Sequence, residues 1–113
     1  MYDENQTFVP ESFSALYLDG RRRLTVTKAE LAQRSEFCED LANVMSGHCS
    51  TVHFRDGVDE ATVLERCLAG LRHAESGVSA QEACWVTRRT AELLSWEWPA
   101  HLDASEEQHF GEM

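Results

Sequence analysis

The chain has 113 residues, 42% of them apolar and 27% charged, with a formal net charge of -10. That length suits one domain with one continuous core, the composition excludes an unfolded chain, and no apolar run is long enough for a membrane-spanning helix. The negative charge excludes a nucleic-acid binder that works through a basic surface.

The charge is unevenly placed. Residues 1–11 hold three acids and no base and residues 99–113 hold four acids and no base, leaving thirteen acids against all ten bases between them. The body is thus close to balanced, too mildly acidic for an obvious mimic of a phosphate backbone. Residues 1–8 are expected to be a disordered lead-in. The only prolines are Pro10 and Pro99, so the long stretch between them carries no obligatory helix breaker.

A first short helix is predicted from Pro10 to about Leu18. Pro10 suits its first position, Phe13, Leu16 and Tyr17 share a face, and Asp19-Gly20 ends it. After the basic connector Arg21-Arg22-Arg23, Thr27 and Glu30 have the spacing of a capping box. Leu31, Phe37, Cys38, Leu41, Ala42, Val44 and Met45 then recur at the helical period up to Gly47. His48 to Phe54 contains β-branched residues, but a lone strand has no partner. A further helical segment ending near Asp56-Gly57 is expected, with Gly47 as a candidate break.

Gly57-Val58-Asp59 and Gly77-Val78-Ser79 repeat one start signal: a breaker, an apolar residue and a capping residue. Val58 is placed to staple onto Val63 and Val78 onto Ala83, and Ser79 with Glu82 forms a second capping box. The first of these helices carries Val63, Leu64, Cys67, Leu68 and Leu71, the second Ala83, Val86, Thr90, Ala91, Leu93 and Leu94. Residues 99–113 have no sustained apolar face and are expected to form a disordered acidic tail. The predicted fold is therefore all-α: one small antiparallel bundle of four to five helices over residues 9–98.

The amino terminus lacks the positive flank and apolar stretch of a secretion signal, so a cytoplasmic location is expected. Cys38, Cys49, Cys67 and Cys84 include no close pair of the kind zinc modules use and are read as free thiols. Cys49 and His53 stand four apart on one helical face, with His48 adjacent and Cys38 further along, which makes them the candidates for a soft-metal or thiol sensor. The bland reading is chance pairing on a helix, and no cofactor is expected. A nucleophile reading of the same pair lacks a nameable orienting group. The sole lysine, Lys28, has no glycine-rich loop before it, which argues against a Walker nucleotide site.

Phe8-Val9-Pro10-Glu11-Ser12-Phe13, Cys38-Glu39-Asp40-Leu41-Ala42, Val63-Leu64-Glu65-Arg66-Cys67 and Trp85-Val86-Thr87-Arg88-Arg89 resemble stretches of a group of short uncharacterised bacterial proteins. Some members of that group are labelled chaperone-like ATPases. The resemblance implies a bacterial cytoplasmic protein and brings no catalytic residue with it.

The remaining candidates are surface groups. Trp85, Arg88 and Arg89, with Trp96 and Trp98 ahead of Pro99, combine the side chains most enriched in partner-binding hot spots. Their structural alternative is that the rings close the base of the core and the arginines pair internally. The expected function is a non-enzymatic interaction module, an adaptor or regulator, binding a protein partner or a second copy of itself, with no nucleic acid and no membrane. The alternatives are a metal- or thiol-dependent sensor using Cys49 and His53, and an acidic nucleic-acid mimic.

Overall fold

The computed structural model describes residues 8–102. Four α-helices lie among them: α1 (Glu11–Ser14), α2 (Lys28–Asp56), α3 (Glu60–Leu71) and α4 (Ala80–Leu94). α1 runs on into a 3-10 turn at Ala15–Tyr17, and a second such turn at Ala74–Ser76 precedes α4. Among the described residues the only β pairing is an isolated bridge between Leu18 and Leu24, which closes the arginine-bearing loop. In that loop Asp19 Oδ1 accepts the amides of Arg21 and Arg23, and Arg22 takes a positive φ of 64°.

The helix starts form as their local chemistry dictates. The Thr27–Glu30 box is closed in both directions at 3.0 Å, and so is the Ser79–Glu82 box at 2.9 and 3.0 Å. Asp59 caps α3 by accepting the Thr62 amide at 3.1 Å. Val58 and Val78 pack against the core as the staples require. Gly57 and Gly77 end the preceding segments with φ of 70° and 89°, left-handed values that glycine takes without a side-chain clash.

The candidate break at Gly47 is not made. α2 continues through it for 29 residues, because the inward-facing positions do not stop there. Leu31, Ser35, Cys38, Ala42, Met45, Cys49 and Val52 alternate steps of four and three along one seam. All of them are buried or pack against the core. Gly47 lies on the exposed side, where its missing side chain leaves the seam intact. The β-branched Thr51 and Val52 are held helical by tertiary packing rather than by propensity.

Ion pairs and thiol contacts set the directions. Arg34 meets Glu82 and Glu39 meets Arg89, so α2 and α4 run parallel, while Cys49 on α2 meets Cys67 on α3 across the reversing turn. Consecutive long helices are antiparallel, giving an up-down-up arrangement with α3 reversed against both neighbours. The small side chains Ser35, Cys38 and Ala42 let α4 approach α2 closely, and α4 presents buried Ala83, Val86, Thr87, Thr90 and Ala91. Thr87 and Thr90 turn their hydroxyls onto the carbonyls of Ala83 and Val86, each at 2.8 Å, which allows two polar side chains in a dry core.

α1 is too short to persist alone. It is docked by Phe13, fully buried with its ring edge-to-face on Trp85 at 5.0 Å; burying such a ring is worth roughly 2–3 kcal/mol. At the other end, the boundary expected at residue 98 moves outward. The backbone turns helical again at Ala100–Leu102, Leu102 is a core residue, and the His101 ring meets the Glu65 carboxylate of α3. One apolar side chain at the right distance from Pro99 is enough to dock a turn that shows no periodic face. The rest of the expected acidic ends, residues 1–7 and 103–113, lies outside the described residues.

Candidate functional site

The side chains singled out in the sequence fall into two places. Trp85, Arg88 and Arg89 lie on one face of α4 and line a groove of about 490 Å³. Its opposite wall is α2, through Ser35, Glu36 and Glu39, and its end is formed by Phe8, Pro10 and Ser12 of the N-terminal segment. Trp98 reaches the same region from beyond α4, since the Arg88 guanidinium stacks on its ring 4.9 Å from the centroid. Trp96 does not join them. It packs edge-on to His53 at 5.1 Å near the far end of α2. Both tryptophans are half-buried.

Each groove residue is held. The Trp85 indole is buried and donates its N–H to Ser12 Oγ at 2.9 Å, so its ring forms floor rather than rim. Arg89 is bound at both ends of its fork: Nε and Nη2 donate to the two Glu39 oxygens at 2.9 and 3.0 Å, and Nη1 donates to Glu92 at 3.1 Å. The guanidinium of Arg89 holds the Glu39 carboxyl below its ordinary range, against the opposing effect of burial. Arg89 thus fixes one wall, whereas Arg88, Glu36 and Glu92 are exposed at the edge. Phe8 is 81% exposed beside this floor. Phe8, Glu36, Glu39 and Glu92 also line the groove, although the sequence does not mark them as site residues; the complementary charges of Glu39 and Arg89 are the signal that points to this wall.

A second polar cluster, none of whose members lines the groove, centres on Glu82 and extends its capping box into the tertiary fold. Glu82, only 2% exposed, receives Arg34 Nε on one oxygen at 3.0 Å and Nη2 on the other at 2.7 Å. The Tyr17 hydroxyl and the Ser79 amide complete its shell, and Arg34 also donates to the Gly77 carbonyl at 2.9 Å. Burial drives the Glu82 carboxyl up, but these four donors outweigh it and hold it at about 2. Burial, then the Glu82 carboxylate, raise the Tyr17 hydroxyl to about 12. Every lone pair of the carboxylate is occupied, so the cluster joins the N-terminal segment, α2 and α4 and leaves no open position for a substrate.

The soft-metal candidates are arranged otherwise than their spacing suggested. His53 Nδ1 is engaged by the Val58 carbonyl at 2.7 Å, bracing the α2–α3 turn, and Nε2 faces Glu60 at 4.0 Å. Cys49 is buried against Cys67 instead. His48 is exposed, and Cys38 is buried next to Glu82. Among the described residues no three side chains are grouped to hold a metal ion, and no helix is long and apolar enough to cross a membrane. No known protein family matches the chain, and neither a curated protein nor a solved structure is significantly similar to it.

Proposed function

We propose that the chain is a small non-enzymatic interaction module whose groove between the N-terminal segment, α2 and α4 seats an apolar side chain of a protein partner. The observation that carries this reading is Phe8, an aromatic ring 81% exposed at the end of a groove floored by Trp85. A large ring left in water at the edge of an apolar floor gains by being covered. The rim carries both signs, Glu36 and Glu92 against Arg88, which suits a partner segment with charges on either side of its apolar anchor. Arg89, Glu39 and the Glu82 cluster support the reading by making the walls rigid, so little ordering entropy is lost on binding.

The test is photo-crosslinking in the source cells, with benzoylphenylalanine placed either at Glu36 on the rim or at Glu75 in the exposed turn before α4. A discrete adduct formed from position 36 and not from position 75, and lost when Phe8→Ala is added, is the expected result. An adduct with a second copy of the chain would identify the partner as the chain itself. Identical adducts from both positions, or none from position 36, would remove the groove as the binding face.

A further inference from the structure

α2 and α3 form a helical hairpin about Val58, and Cys49 and Cys67 stand nine residues to either side of it. Equal offsets bring the two side chains to the same level, both line one cavity, and each thiol shifts the other's proton affinity. Cys67 also touches the Thr87 hydroxyl at 3.9 Å. Both residues are buried, yet the cavity they line, of about 410 Å³, also includes His48, Asp56 and Arg66 in its lining, all three exposed. A cavity of this size admits a small hydroperoxide with room to spare.

We propose that Cys49 and Cys67 are a hydroperoxide-responsive dithiol that closes into a disulfide between α2 and α3. The two thiols are not equivalent. Cys67 sits against the Thr87 hydroxyl and Cys49 does not; within the proposal Cys67 is assigned as the attacking sulfur and Cys49 as the resolving one, and sulfenic-acid trapping in the serine variants tests that assignment. The Cys67 thiolate displaces an alkoxide or hydroxide from the peroxide oxygen, the O–O bond breaks, and the departing group takes up the thiol proton, leaving Cys67 as the sulfenic acid. Cys49 then attacks the Cys67 sulfur, the S–O bond breaks, and water leaves with the Cys49 proton. Two thiols and one hydroperoxide become one disulfide, one alcohol (or water) and one water. The sulfurs together lose two electrons and the peroxide gains them.

The other two cysteines are placed differently. Cys38 is fully buried beside Glu82, and burial followed by that carboxylate pushes its thiol up to about 12. Cys84 lies half-buried on α4, and neither it nor Cys38 borders this cavity. The inference does not depend on partner binding at the groove, which lies between other elements.

The experiment treats the purified full chain with hydrogen peroxide and maps its peptides without reduction. A cross-linked peptide joining Cys49 to Cys67, lighter by two hydrogen atoms and reversed by dithiothreitol, is expected, with Cys38 and Cys84 still alkylated as thiols. In Cys49→Ser, dimedone should trap a sulfenic acid at Cys67, and in Cys67→Ser no dimedone adduct should form at Cys49. Wild-type chain oxidised first at Cys84, or carrying sulfinic acid at Cys67 without a cross-link, would overturn the proposal. That wild-type readout stands even where a serine variant fails to fold.

Discussion

Glu82→Gln isolates the charge that ties three segments together. The carboxyl sits at about 2 in the folded chain against an ordinary value of 4.5. At about 1.4 kcal/mol per pKa unit the ionised form contributes on the order of 3 kcal/mol of stability at neutral pH. The Arg34 side chain is 35% exposed against 3% for Glu82, so water screens part of the pair, and a measured loss of roughly 2–3 kcal/mol is expected. Because the folded value lies below the unfolded one, the stabilisation is complete above pH 4.5 and disappears as the pH falls towards 2. Urea unfolding of wild type and variant at steps from pH 7 to pH 2 reads this directly. The gap between them should be constant down to about pH 4.5 and then close, since the glutamine has no proton to gain. A gap that stays constant to pH 2, or one below about 1 kcal/mol at pH 7, would refute the placement of Glu82 as a buried, fully bonded carboxylate.

Other expectations follow from single contacts. Tyr17→Phe removes the hydroxyl donated to Glu82 and should cost about 1.5–3 kcal/mol in urea unfolding at pH 7. Since the Tyr17 hydroxyl is raised from 10.0 to about 12, wild type alone should lose that increment as the pH rises from 10 through 12; equal alkaline profiles would count against the contact. Gly47→Ala has open space for its methyl group and sits inside a helix, so it should raise stability by roughly 0.5–1 kcal/mol. A decrease would mean that the helix is interrupted there. Leu102→Ala should lower the thermal midpoint through a loss of about 2 kcal/mol or more, whereas an unchanged midpoint would show that the turn after Pro99 does not contribute to the core.

What was legible in the sequence was local. Thr27, Asp59 and Ser79 announced three helix starts because a cap is made within three residues of itself, and all three caps form. Phe13 was legible as a docking residue because its neighbours at helical spacing are apolar. Glu82 was half-read: its capping role is local, but its pairing with Arg34 spans 48 residues, and no local pattern marks which exposed-looking acid a bundle will bury. Gly47 misled in the opposite direction, because a helix breaker on a solvent face is outvoted by a seam that continues on the other side. Leu102 was hidden because a single docked residue has no period. Cys49 was grouped with His53 by spacing along one helix, while the hairpin set it against Cys67. The groove shares this origin, since Trp85 and Arg88 were visible on α4 but Phe8 and Glu36 come to them only through the tertiary fold.

The most direct measurement on the central claim is calorimetric titration of the crosslinked partner, once identified, against wild type, Phe8→Ala, Glu36→Arg and Glu75→Arg. Phe8→Ala should weaken binding by roughly tenfold or more, as loss of an interfacial aromatic anchor does. Glu36→Arg should weaken it as well, and Glu75→Arg should bind like wild type. Four equal affinities would contradict the assignment of the groove as the interaction site.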